Sequence, residues 1–385
     1  METPQLYRQL EDQLRQWVLP KDRRHLQGYA EAIAAILQSG SACLSHWLPF
    51  LSHRDCGARA QMGRLSYLVH NQQINAQRYY QPLLQQVLQA WEGEAMTLSL
   101  DTSVLWDRFC LIEVCLAWGG RSITLAQQVI EHGSATVGFE TYRRVLERAQ
   151  TVLPATAQVT LLADRGFEHG ELIRWLKQQQ WDWAIRAKTD LIVWLASGAQ
   201  RTVGALLPPA EEVFLFEQVT ILDDLDCHLA TANLPAAGDA WAVLSSQSPS
   251  LQTFALYEQR FGGIEPHFKD YKSAAFDILR SHLRDADALT CLVMLLDSAA
   301  LIALILGFQV MQLGQLARLD WHASRGLSFL QLGLRELASL CYQRLPLPTL
   351  SPIPCCNPPP ACASVRKQQQ MDCRIEFSRV TRFSG

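Results

Sequence analysis

Between Gly93 and Lys188 the hydrophobic pattern switches repeatedly between the two-residue period of a strand and the 3.6-residue period of a helix. MTLSLD alternates, FCLIEVCLAW is continuously apolar, and Gly119 and Gly120 supply a turn after it. GFETYRRVLERAQTVL then reads as an amphipathic helix, QVTLLAD as a strand, HGELIRWLKQQQ as a helix and WDWAIRAK as a strand. A β-β-α-β-α-β series of this kind predicts an α/β fold, a mixed sheet with helices on its faces.

The flanking regions have other textures. Residues 1–93 read as short helices with Gly or Ser breaks, among them YAEAIAAILQ and ARAQMGRLSYLVH. Arg8, Arg15, Lys21, Arg23, Arg24, Arg54, Arg59, Arg64 and Arg78 lie in this region, so it suits either a small DNA-binding bundle or a plain helical cap. After a first α/β part at 94–188, residues 189–245 form short strand-like pieces between Pro, Gly and Asp clusters, read as a β-rich insertion. Residues 246–345 resume the α/β unit. Residues 346–385, rich in Pro and Cys and without period, are expected to be disordered. Cys355, Cys356, Cys362 and Cys373 could bind a soft metal, but no histidine accompanies them.

With 385 residues, 49% of them hydrophobic, the chain can bury a full core. Its net charge of -3 argues against indiscriminate polyanion binding, so any contact with nucleic acid must come from local patches. None of its 11 cysteines falls into C-x-x-C spacing, which reads as reduced thiols in a cytoplasmic protein, and the charged amphipathic start lacks the apolar core of a secretory signal. The apolar run from Ala288 to Gly307 is long enough to span a bilayer. Asp297 would then sit near the bilayer centre at high cost, so a helix buried across a large domain is the better reading, with no membrane partner.

Three carboxylates stand in separate settings: Asp101 ends MTLSLD, Asp164 ends VTLLAD, and Glu265 opens the helix-like IEPHFKDYK. Each has an ordinary alternative, the aspartates as strand-ending turn residues and Glu265 as the partner of Lys269. If the two strands are neighbours, the aspartates project together. Glu265 shares a helix face with Lys269 and Lys272, while Phe268, Tyr271, Ala275 and Ile278 form the opposite packing stripe. Three acids with open positions for phosphate oxygens suit a pair of hard divalent ions, which activate the attacking oxygen of a phosphodiester reaction and stabilise the leaving one.

YEQRFGGIEPHFKDYK, with LSLDTS and LLADRGF upstream, resembles the DDE transposases of bacterial insertion sequences, in the group typified by insertion sequence four. Their signature runs Tyr, two residues, Arg, three residues, Glu, six residues, Lys. Here Tyr257, Arg260, Glu265 and Lys272 follow it, except that four residues separate Arg260 from Glu265, and the pair Gly262 and Gly263 is expected to absorb the extra one in a bend.

The resemblance implies a ribonuclease-H-like sheet interrupted by the β-rich insertion and preceded by a DNA-binding helical domain. It implies that Asp101, Asp164 and Glu265 coordinate two Mg²⁺ ions, with Mn²⁺ as a substitute, to cut DNA at the element's terminal inverted repeats and join the freed 3′-hydroxyl to target DNA. By the same resemblance Tyr257, Arg260 and Lys272 contact phosphate, Trp241 is a candidate for stacking a flipped base, and the protein acts as a homodimer on DNA. A nuclease of the same fold without strand transfer, and a DNA-binding relative whose centre has decayed, are the alternatives.

Overall fold

The structure, a computed structural model, describes residues 5–18, 20–52, 55–222, 224–234, 239–364 and 377–383. Arg54 and Cys373 lie outside the described residues.

The first three strands are β1 (Ala95–Leu105), β2 (Phe109–Trp118) and β3 (Arg121–Glu131), an antiparallel meander. Gly119 and Gly120 make the two-residue turn from β2 to β3 with φ of 62° and 73°. Both sit in the left-handed region that such a hairpin turn requires and that glycine enters without strain. Every residue of β2 is buried, in keeping with its uninterrupted apolar run.

The chain then forms α6 (Phe139–Gln150), β4 (Gln158–Ala163), α7 (Gly170–Gln178) and β5 (Asp182–Arg186), five helices having preceded β1. β4 lies parallel to β1 and to β5, so the order β3-β2-β1-β4-β5 combines an antiparallel meander with two parallel strands, a ribonuclease-H-like arrangement. Successive β4 residues face opposite layers. Leu161 and Ala163 join the cluster containing Tyr142, Leu172 and Leu176, whereas Leu162 joins Ala184, Val243, Phe254 and Tyr257.

Strands β6 (Ile192–Leu195), β7 (Gln200–Thr202), β8 (Glu212–Ile221), β9 (Leu225–Leu234) and β10 (Asp239–Ser245) come next. They do not stand apart from the main sheet: β10 pairs antiparallel with β5, and the series continues through β9, β8 and β6 to β7. With β11 (Arg379–Phe383) parallel to β8, the sheet has eleven strands. Helices α8 (Leu251–Lys269), α9 (Ala286–Gln312), α10 (Leu316–Leu319) and α11 (Phe329–Gln343) follow β10.

Residues 5–91 contain α1 (Gln5–Leu14), α2 (Arg23–Ser39), α3 (Leu44–Trp47), α4 (Ala58–His70) and α5 (Ala76–Val87). Their apolar faces join the main core through α9, which touches α2, α4, α5, β3 and α11. Helix α9 has a mean hydropathy of 2.5 over its most apolar window, 89% of which is buried inside the protein, so it is the core helix the position of Asp297 argued for. Its polar residues are paired: Tyr29 Oη and Ser298 Oγ are 2.6 Å apart, and the Tyr271 hydroxyl donates to Asp297 Oδ1.

The disorder expected of the tail does not hold for residues 346–364. Leu347, Leu350 and Ile353 are buried, Ile353 N–H donates to the Val87 carbonyl at 3.0 Å, and Trp118 Nε1–H donates to the carbonyls of Pro354 and Cys356 at 3.1 and 3.0 Å. Proline removes N–H groups and fixes φ, so this extended segment has few donors to satisfy and little backbone entropy to lose on docking. Composition registers the missing period but not the surface that receives the chain.

Candidate active site

Asp101 and Asp164 are brought together by strand register. β1 and β4 run side by side in parallel with Leu100 opposite Ala163, so the next residue on each strand is an aspartate. Asp101 does not end its strand, however. β1 continues to Leu105 and Asp101 pairs across β2 with Glu113, which leaves it well inside the sheet, whereas Asp164 lies just past the end of β4 and caps a short turn by accepting from Arg165 N–H at 2.7 Å.

Glu265 comes from α8, which begins fourteen residues earlier than the sequence suggested, at Leu251, under a capping box formed by Ser250 and Thr253. Tyr257, Arg260 and Glu265 therefore ride on one helix. Gly262 and Gly263 make no bend and are helical. Gly263 is instead a contact point, since a Cβ there would stand 3.0 Å from Ser122 Oγ and 3.4 Å from the Arg121 carbonyl, so glycine lets α8 lie close against β3. Beyond Pro266 the helix widens into a π-helical turn, Asp270–Ala274, which contains Lys272. The face shared by Glu265, Lys269 and Lys272 in a regular helix is disturbed there.

Arg260 ties the acids together. It is 3% exposed, its Nη2 lies 2.7 Å from Asp101 Oδ2, and its Nη1 lies 3.8 Å from Glu265 Oε1. Arg260 Nε has no hydrogen-bond partner. Tyr257, fully buried, donates its hydroxyl to the Ala163 carbonyl at 3.3 Å, fastening α8 to the residue before Asp164. Trp241 of β10 packs edge-on to Tyr257 with ring centroids 5.9 Å apart and tilted on Phe261 at 5.6 Å.

Burial pushes the Asp101 carboxyl up to about 6, and the nearby Asp164 and Glu265 charges add to that rise, while the Arg260 guanidinium and the Thr102 N–H oppose it. Asp101 thus feels both other carboxylates, with the Arg260 guanidinium beside it.

A protein-family model described as "Transposase DDE domain" matches residues 107–305, just over half of the chain. The chain belongs to the DDE transposase family. The matched span contains Asp164 and Glu265 and begins beyond Asp101. No curated protein sequence matches. Among solved structures, a cryo-EM piggyBac transposase synaptic complex with hairpin DNA is similar at a TM-score of 0.41 and 11% identity, over 90% of this chain and 79% of that one, a likeness too slight to carry an argument.

In this transposase Lys272 is half-buried and Lys269 exposed. Several basic residues of the N-terminal helices face acids of their own region: Arg15 and Arg23 approach Glu11 at 2.8 and 3.7 Å, Arg24 pairs with Asp22 at 2.6 Å, and Arg64 approaches Glu31 at 3.5 Å. Arg8, Lys21 and Arg59 are exposed.

A polar cluster that the motif reading missed lies under the same helix. Glu113 and Cys115 of β2, Thr124 of β3 and His267 of α8 meet in the interior, with Asp297 of α9 nearby. The signal was present in FCLIEVCLAW, where one glutamate interrupts an apolar strand two residues before a cysteine.

Proposed function

We propose that this transposase cuts DNA at the ends of an insertion sequence of the type-four group and joins the freed 3′-hydroxyl to target DNA. The observation that supports the reading is the register that brings Asp101 and Asp164 side by side from neighbouring parallel strands, with Glu265 linked to Asp101 through Arg260. The family implies divalent metal use, and the donor set fits it: three carboxylates are hard oxygen ligands, and a cation would offset the burial, and to a lesser degree the neighbouring acids, that hold Asp101 up at about 6. Asp101, Asp164 and Glu265 would hold two Mg²⁺ ions, or Mn²⁺ in their place, and when bound these would lower the cost of charge on the attacking and leaving oxygens of the phosphodiester.

The chain's own residues supply position and charge. Arg260 orients Asp101 and Glu265 and offsets part of their charge from within the fold. Tyr257 keeps α8 registered on β4, so its part in phosphate binding is indirect. Lys272 adds positive charge further along the same segment, beyond Glu265. Trp241, half-buried and backed by Tyr257 and Phe261, has the rigid support that stacking on a displaced base requires. Residues 1–93 form the DNA-binding domain in this reading, contacting phosphates through exposed bases such as Arg8, Lys21 and Arg59, and the active species on DNA is a homodimer.

The test uses purified full-length protein, Mg²⁺, and labelled duplexes made from the DNA that flanks its reading frame. Cleaved ends and their joining to a second duplex are expected. Asp101→Asn, Asp164→Asn and Glu265→Gln should each remove both products while DNA binding by mobility shift persists. Cleavage that survives any one substitution removes that residue from the centre, and cleavage without joining replaces transposition by simple nuclease action.

A further inference from the structure

The Glu113 side chain is wholly buried, and its carboxylate leans on one imidazole, whose pKa it raises against the opposing effect of burial. Its nearest charged neighbour is His267 Nε2 at 3.2 Å, a nitrogen also 3.3 Å from Thr124 Oγ1. A buried carboxylate is expensive, and a single imidazole nitrogen shared with a hydroxyl offsets only part of that cost. The Arg121 guanidinium, which lines the adjoining cavity, is held by Asp270 at 2.8 Å. Asp297 lies close enough to raise the negative charge further. Two carboxylates thus share one imidazole in the dry interior.

The same place gathers a soft donor. Glu113 and Cys115 are two apart on β2 and project to one face, and His267 comes down from α8, so that a carboxylate oxygen, a thiol sulfur and an imidazole nitrogen lie within 4.8 Å of one another. Ligand atoms around a tetrahedral ion with bonds of about 2.0–2.3 Å stand roughly 3.5 Å apart, so small side-chain adjustments suffice. A cavity of about 20 Å³ lined by Thr124, His267, Tyr271 and Asp297 adjoins the cluster. That is room for one water.

We propose that Glu113, Cys115 and His267 bind one divalent transition metal of the zinc class, with a water in the adjoining cavity as fourth ligand. Nitrogen, thiolate and carboxylate together favour zinc over Mg²⁺, which takes oxygen ligands. The ion neutralises the Glu113 and Cys115 charges and pins α8 to β2 two residues from Glu265. It borders the acidic centre, since Glu113 lies opposite Asp101 across β1 and β2, but none of its three protein ligands is one of the acids, and its existence does not depend on the catalytic reading.

The experiment is elemental analysis of tag-free, full-length protein after incubation with zinc and removal of free metal. About one equivalent per chain is expected, and it should persist in the triple variant Asp101→Asn, Asp164→Asn, Glu265→Gln. Cobalt loaded in its place should give a thiolate-to-cobalt charge-transfer absorption that Cys115→Ser abolishes while circular dichroism stays native. His267→Gln serves as the second variant should Cys115→Ser fail to fold, and it should lower zinc affinity at least tenfold. Folded wild-type protein that retains under about a tenth of an equivalent, or a folded Cys115→Ser protein that keeps the cobalt band, overturns the proposal.

Discussion

Helices α9 and α11 cross at Gly307 and Gly333 with no side chain between their backbones. A Cβ on Gly333 would stand 1.6 Å from the Ala303 carbonyl oxygen, and one on Gly307 would stand 1.9 Å from the Phe329 carbonyl oxygen. Real Cβ atoms essentially never come within 3.0 Å of such a neighbour, so Gly333→Ala must open the crossing by about 1.4 Å. Both obstacles are backbone, which cannot swing aside as a side chain can. Overpacking of a core usually costs about 1–3 kcal/mol, and the upper end applies because Leu306, Phe308, Phe329 and Leu330 lose contact along with the crossing itself. Alanine's better helix propensity returns about 1 kcal/mol, for a net loss of about 2 kcal/mol or more. Urea unfolding followed by circular dichroism and tryptophan fluorescence reads this directly, since Trp118 packs on Phe308 and Phe329 with centroids 5.1 and 5.4 Å apart. Gly63→Ala is the control: it lies exposed in α4 with nothing within 4 Å of its Cβ position and should gain about 0.5–1 kcal/mol. A Gly333→Ala protein as stable as wild type would refute the argument from close backbone approach.

Arg260→Ala removes the main influence holding the Asp101 pKa down, so that pKa should rise above about 6 and the pH at which Mg²⁺ affinity is half-maximal should move upward; an unmoved pH dependence by calorimetry would count against the pairing. Asp297, whose carboxyl is raised to about 7 by burial and by facing Glu113, against the opposing influence of the Tyr271 hydroxyl and His267, binds its proton more tightly folded than unfolded. In chelator-treated protein the stability should therefore fall as pH rises from about 4 to about 7, and Asp297→Asn should flatten that fall in chemical denaturation; a parallel fall in the variant would contradict it. Asn357→Ala withdraws the acceptor that Gly119 N–H uses at 2.7 Å and should lower stability by about 1–2 kcal/mol. No change in the urea midpoint would mean that the tail is not held at that point.

The regular elements of the α/β unit were legible because their cause is local. The alternation of MTLSLD, the apolar run of β2, the glycine pair of the hairpin and the amphipathic helices each state their own conformation within a few residues. The burial of α9 was legible too, since Asp297 weighed against lipid. Less could be read where a neighbour decides. Nothing within IEPHFKDYK shows that its helix starts at Leu251, because the extra turns are stabilised by a cap and by packing on the sheet. FGGI reads equally as a bend or as a helix lying tight against β3, and only the position of Ser122 chooses between them.

Sequence by itself determined the kinds of elements, their order, and the family to which the acids belong. Tertiary structure decided that Asp101 and Asp164 are adjacent, that Arg260 is buried between carboxylates instead of exposed, that the proline-rich segment is docked, and that Glu113 has His267 and Cys115 for company. The division has a physical origin. Hydrophobic period and turn chemistry act over a few bonds, whereas strand register, burial and the energy of a charge depend on residues distant in sequence, such as Asp101 and Arg260, 159 positions apart, which meet only after the sheet and α8 have assembled.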